Sequence, residues 1–277
     1  MTRSRAHSAL LHGFLILVAV GTLAPLLYTV LTSFKLQRDI YTGVFWFEPT
    51  MLNYDELFFS RRSTFFQLTQ NSVVVGLGSM LLVLVAGTLG AYSMARFRWR
   101  KIYTALVLGW LVFVHMLPPV TLVGPFYLTS RALGIYDTPW AIIFAHTVLN
   151  LPLAFWMLHS YFTDIPKELE EAAAIDGASN IQSFWHIMLP LTKPGLAATA
   201  VLVFVFSWKD FLFALSLGST ANSYTIPVGI AGFVQEYNIR YGEMAAAAFF
   251  ATLPALILVV LAQRQIVKGL TLGALKG

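Results

Sequence analysis

Lys209 and Asp210 stand side by side between Trp208 and Phe211, inside an otherwise apolar run. A charge at the centre of a membrane helix costs about 2.5–3.5 kcal/mol on insertion scales, so such groups usually face a cavity or a partner. Two readings are open for this pair: lining of a solute path, or a structural ion pair or interhelix hydrogen bond. Asn150, followed by Leu151-Pro152, interrupts a second apolar run. Pro152 removes a backbone hydrogen bond and predicts a kink, which can serve as hinge, path lining or simple packing. Trp208, Lys209, Asp210 and Asn150 are therefore the candidate path residues. His115, His146 and His159 are scattered without metal-ligand spacing, which points to polar helix contacts and to no metal site. The chain has no phosphate-binding G-x-x-x-x-G-K-[ST], no H-E-x-x-H and no G-x-S-x-G. Nothing in it supports catalysis, and no cofactor is expected on this chain.

The elements that carry these groups follow from composition. Of 277 residues, 57% are hydrophobic and 11% charged, where a soluble domain has roughly 25% charged residues. So few charges cannot cover a water-facing surface. The chain reads as all-α, a polytopic membrane protein of about six spans. Apolar runs predict them at 10–32, 71–94, 102–123, 139–160, 195–217 and 244–263. The first run is too long for a signal-peptide core and reads as a retained span. Pro118-Pro119 is expected to end or bend the third. There is no cysteine, hence no disulfide or thiolate site. The basic residues flank apolar spans and form no stripe, which speaks against nucleic acid and for membrane lipid.

Lys and Arg orient the spans. With the N-terminus inside, the cytoplasmic set is Arg3, Arg5, Arg96, Arg98, Arg100, Lys101, Lys167, Lys193, Arg264, Lys268 and Lys276. The outer set is smaller: Lys35, Arg38, Arg61, Arg62, Arg131 and Arg240. The positive-inside rule then puts both termini and residues 164–194 in the cytoplasm. The outer stretches 33–70 and 218–243 predict short helices near the interface.

Residues 164–194 are a polar island between two apolar runs, and they read as a helix-turn-helix. Pro166 suits a first helical turn. Glu168, Glu170 and Glu171 sit favourably at the positive end of the helix dipole. Ala172, Ala173 and Ala174 are strong helix formers with little bulk. Asp176-Gly177 stops the helix, with Gly177 in the left-handed region. Ser179 or Asn180 caps the next helix, which carries Ile181, Phe184, Trp185, Ile187 and Met188 until Leu189-Pro190 breaks it. The small alanine surface permits close approach to a groove of a partner. Covering the ends of the spans is the alternative use.

Glu171-Ala172-Ala173, then Gly177, then Ile187-Met188-Leu189-Pro190, resembles the loop named for Glu-Ala-Ala in importer-type ABC permeases. Ala91-Tyr92-Ser93-Met94-Ala95-Arg96-Phe97, the run Pro25 to Lys35, and Ile165 to Glu171 are similar to the carbohydrate-uptake branch. The tail from Gly269 to Gly277 resembles one of the two maltose-type permease subunits. The resemblance implies one permease domain over 1–277, with a coupling loop at 164–194 and a tail at 264–277. It implies that Glu171, Ala172, Ala173, Asp176, Gly177, Ile187, Leu189 and Pro190 couple to an ATPase. It also implies that Gly273, Lys276 and Gly277 reach the ATPase interface as an extended segment. The implied partners are a second permease subunit, two ABC ATPase subunits that bind ATP and Mg, and an extracytoplasmic solute-binding protein. The implied function is ATP-driven import of a sugar or sugar-like solute across the cytoplasmic membrane by alternating access. An ion-driven secondary transporter is the first alternative and an intramembrane enzyme the second. The usual family pattern at 208–211 has an amide where this chain has Lys209.

Overall fold

A computed structural model describes residues 5–61, 63–234 and 239–274, with the backbone alone for residues 5, 6, 9 and 264–274. The helices are α1 (Arg5–Ser33), α2 (Gln37–Tyr41), α3 (Leu52–Phe59), α4 (Phe65–Arg96), α5 (Lys101–Met116), α6 (Pro119–Ala132) and α7 (Pro139–Asp164). They continue as α8 (Glu168–Ile175), α9 (Asn180–Ser183), a π-helical turn (Phe184–Met188), α10 (Leu189–Leu191) and α11 (Lys193–Trp208). The last three are α12 (Leu212–Leu217), α13 (Ile226–Ala231) and α14 (Tyr241–Ala274). Among the described residues there is no strand, only an isolated bridge between Val234 and Ile239. The all-α class expected from composition is what the structure shows.

Among the described residues, four helical stretches are long and apolar enough to span a membrane: Leu10–Ser33, Phe65–Arg96, Pro139–Asp164 and Tyr241–Gln263. Two bent pairs raise the number to six. Lys101–Met116 and Pro119–Ala132 meet at 104°, and Asn180–Leu191 and Lys193–Trp208 meet at 71°. Two predicted spans change as a result. The third does not run to residue 123 but stops at Met116, because Pro118-Pro119 turns the chain and Pro119 opens α6. The fifth is not continuous over 195–217. It stops at Trp208, and a new helix starts at Leu212. Lys209 and Asp210 thus lie in a break rather than inside a span.

The chain divides into two compact units. One comprises Met1–Phe66 and Gly229–Pro254. Within it, Asn53 Nδ2 donates to the carbonyls of Ser33 and Lys35, each at 2.8 Å, and so pins α3 under the end of α1. Lys35 is buried, yet its Nζ donates to the Val44 carbonyl at 2.8 Å and lies 4.8 Å from the Phe47 ring centre. Phe58, Phe65 and Phe250 form an aromatic cluster with centroids 5.2–5.6 Å apart. Short helices α2 and α3 are present in 33–70, as the aromatic content of that stretch predicted, and α13 lies in 218–243.

The other unit comprises Gln67–Val228 and Ala255–Gly277. Its axis is α7, which α5, α6, α11 and α12 all touch. Without water to expel, membrane helices gain mainly from close van der Waals contact, which small residues permit. A Cβ on Gly78 of α4 would lie 2.7 Å from Ile143 of α7, and one on Gly195 of α11 would lie 2.4 Å from the Tyr161 ring of α7. α7 itself continues through Pro152 without a break. α14 stays helical through Ala274, because no proline follows Pro254 to interrupt its hydrogen-bond ladder. Residues 269–274, Gly273 included, are therefore helical, not the extended segment implied by the resemblance. Lys276 and Gly277 lie outside the described residues.

Candidate functional site

The helix-turn-helix predicted at 164–194 is built largely by local chemistry. Helix α8 opens at Glu168 with Lys167 as its N-cap, so Pro166 stands one residue before the cap rather than in the first turn. Glu168, Glu170 and Glu171 fill that turn. At the other end, Gly177 adopts φ +86°. The Gly177 N–H donates to the Ala174 carbonyl at 3.1 Å, and the Ala178 N–H to the Ala173 carbonyl at 2.9 Å. This is the paired closure in which a left-handed residue satisfies the last carbonyls of a helix. A Cβ on Gly177 would meet nothing within 4 Å, so conformation and not space dictates glycine here. Ser179 then caps α9: its Oγ accepts from the Gln182 N–H, and Gln182 Oε1 accepts from the Ser179 N–H at 2.8 Å.

Leu189-Pro190 does not break the second helix. The preceding residues widen into a π-helical turn, in which the Leu189 N–H reaches back to the Phe184 carbonyl, and the helix runs on to Leu191. Pro190 has no N–H to give, and the shifted ladder accommodates it. The bend falls at Thr192 instead.

Of the predicted coupling residues, Glu171, Ala172, Asp176 and Gly177 are exposed, Ile187, Leu189 and Pro190 are half-buried, and Ala173 is buried. Three apolar side chains of the same segment stand out into solvent: Ile175 at 87% exposure, Ile181 at 72% and Trp185 at 59%.

The segment is fastened to the spans by contacts that sequence reasoning did not foresee. Arg96, at the end of α4, has a side chain only 5% exposed, with Nε 2.6 Å from Glu170 Oε2. One of its terminal nitrogens donates to the Ile165 carbonyl at 2.7 Å. Tyr92, one turn earlier, donates its hydroxyl to Glu170 Oε1 at 2.8 Å. The Tyr92 ring packs against Phe97, Phe162 and Phe184. The signal available in sequence was the four-residue spacing of Tyr92 and Arg96, which puts both on one helix face.

The candidate path residues separate into two groups. Asp210 Oδ2 accepts from the N–H groups of Phe213 (3.0 Å) and Ala214 (3.3 Å), which caps α12. Buried His146 of α7 brings Nε2 within 3.1 Å of the same oxygen. Asn150, one turn on, donates to the His146 carbonyl at 2.9 Å and reaches Ser207 Oγ at 3.5 Å. Asn150 and Asp210 thus belong to one polar seam that holds the break in place. Trp208 is buried and stacked on Phe204, 5.4 Å between centroids. Lys209 is exposed, its Nζ 4.8 Å from the Phe206 ring centre.

One further polar knot joins two loops. Asp137, at φ +57°, accepts from the backbone N–H groups of Ser219 (2.8 Å) and Thr220 (3.0 Å), and from the hydroxyls of Thr220 (2.7 Å) and Ser223 (2.6 Å). Burial by itself would raise its pKa. The hydrogen bonds from Ser223, Ser219 and Thr220 outweigh that and bring the carboxyl down to about 2. Among the described residues no three His, Cys, Asp or Glu side chains gather as a metal site.

Residues 60–272 match the family described as the inner membrane component of binding-protein-dependent transport systems. The chain belongs to this family. It is a multi-pass membrane transport subunit and not an enzyme. Among its relatives, the trehalose transport system permease protein SugB of Mycobacterium tuberculosis is 38% identical, with 82% of each chain covered. The sulfoquinovosyl glycerol transport system permease protein SmoH of Agrobacterium fabrum is 36% identical over 94% of this chain and 91% of its own. The trehalose/maltose permease MalG of Thermococcus litoralis is also 36% identical, over 95% and 94%. Family membership extends to the fold. A chain of a bacterial ABC transporter that imports alginate superposes with a TM-score of 0.78 at 20% identity, over 95% of this chain and 98% of that one.

Proposed function

We propose that this chain is one permease subunit, acting as a single domain, of an ATP-driven importer for a sugar or sugar-like solute. The observation that carries the reading is the exposed α8–Gly177–α9 segment in a chain of this family. Glu171, Ala172, Asp176 and Gly177, together with Ile175, Ile181 and Trp185, form the surface offered to an ATPase subunit. Ala173, Ile187, Leu189 and Pro190 support it from beneath. ATP and Mg bind on two such ATPase subunits. A second permease subunit completes the solute path, and an extracytoplasmic binding protein delivers solute. Both termini and residues 164–194 face the cytoplasm. Closure of the ATPase pair on ATP pushes α8, and the spans exchange inward-open for outward-open states. The sugar class is supported by relatives whose names specify trehalose, sulfoquinovosyl glycerol and trehalose/maltose. Lys209, exposed at the break in the fifth span, is the path candidate. Gly273, Lys276 and Gly277 are proposed to meet the ATPase pair.

Co-purification in mild detergent from the native membrane tests this. Recovery of a P-loop ATPase and a second permease is the expected result. Recovery of the chain alone, still able to move solute after reconstitution, overturns the reading in favour of a secondary transporter.

A further inference from the structure

Helix α8 has little apolar grip on the rest of its unit: Ala173 is its buried residue, and Ile175 is almost fully exposed. An element pushed by a partner needs a stiff attachment, or the push is spent in pivoting about its loops. The polar contacts of Glu170 supply that attachment. One carboxylate oxygen takes the Tyr92 hydroxyl and the other faces Arg96, so both are engaged by α4. Arg96 ties down a third segment through the Ile165 carbonyl at the end of α7. A guanidinium that is 95% buried keeps its charge out of water only while its anion is present. The contact therefore favours one fixed arrangement over partial separation.

We propose that Tyr92, Arg96 and Glu170 are positioning residues that make α8 move as one body with the C-terminal end of α4. This rests on the docking function proposed for α8. Tyr92 and Arg96 carry displacement of α8 directly into a 32-residue span. The aromatic packing of Tyr92 on Phe184 extends the same body to the π-helical turn.

This chain has no cysteine, so a labelled pair can be introduced into it without competing thiols of its own. Cysteines at Leu81 on α4 and Lys167 before α8, spin-labelled in the reconstituted transporter, report their separation with and without ATP trapped by vanadate. In the otherwise unaltered transporter the separation is expected to stay narrow and unchanged on trapping. With R96Q or E170Q it is expected to shift or broaden at least twofold on trapping, and the reversed pair R96E/E170R is expected to restore it. Y92F, which keeps the ring in its cluster, is the milder variant for the case that the charge variants misassemble, and a smaller broadening is expected. A separation that changes in the unaltered transporter, or stays as narrow in R96Q, E170Q and Y92F, overturns the proposal. ATPase retention in the same preparations is read separately. Retention alongside an unaffected separation defeats the latch but leaves docking standing, whereas failure of the unaltered parent to hold an ATPase defeats the docking reading itself.

Discussion

At the scale of single residues, glycine and aspartate positions carry the sharpest expectations. Gly177 is required for its backbone conformation, since its surroundings are open. A left-handed β-branched residue costs at least about 1–2 kcal/mol, whereas asparagine tolerates that region. Gly177→Val is therefore expected to reach the membrane at normal levels but lose its ATPase in detergent co-purification. Gly177→Asn is expected to keep it. Normal retention by the valine variant would remove Gly177 from the coupling surface. Asp137 makes a different prediction, in acid. Its folded pKa, about 2, lies below the ordinary value of 3.8. The group thus contributes stability that is complete above 3.8 and lost as pH falls through about 2. After a discount for solvent screening this is on the order of 1 kcal/mol. Asp137→Asn should lower the melting temperature of the detergent-solubilised chain at pH 7, with the gap from the parent constant to pH 5 and narrowing below pH 4. A gap independent of pH would show that the carboxylate charge is not what holds the two loops.

At the scale of elements, the spans are packed through missing side chains. Gly195→Ala puts a methyl group 2.4 Å from the Tyr161 ring, and α11 or Tyr161 must give way. Overpacking of this kind costs about 1–3 kcal/mol. Gly109 of α5 has nothing within 4 Å, and alanine there is expected to be neutral or to stabilise by up to about 1 kcal/mol. Thermal melts of the two variants in one detergent check the contrast, and equal melting temperatures would refute the packing argument. Breaks are the other lesson at this scale. Pro118-Pro119 turned the chain as proline chemistry predicts, Pro190 was absorbed by a π-helical turn, and Pro152 lies within a continuous α7. The break that mattered most, after Trp208, is held by Asp210 with His146 from another helix.

At the scale of the whole molecule, family membership and the apolar helices agree on a multi-pass transport subunit. Its orientation is directly testable because the chain lacks cysteine. Single cysteines at Ile175 and Phe45, both highly exposed, are expected to react with a membrane-impermeant maleimide from opposite sides of intact cells and inverted vesicles. Labelling of both from the same side would reverse the proposed orientation. The polar seam of His146, Asn150, Ser207 and Asp210 gives two candidate path residues partners within the chain, and Lys209 beside them is exposed.

Much of this protein was decided by the order of its residues. Apolar run length sets the spans, because a backbone in lipid must satisfy its hydrogen bonds within a helix. Capping chemistry sets the end of α8 and the start of α9, because the groups that close a helix lie within four residues of it. The helix-turn-helix after α7 was legible for that reason. Tyr92, Arg96 and Glu170 were not, since the partners are more than seventy positions apart and only folding brings them together. The same holds for the division of the path candidates. A charge in an apolar run announces that it needs a partner, but whether that partner is solute or a histidine one helix away is settled by packing alone.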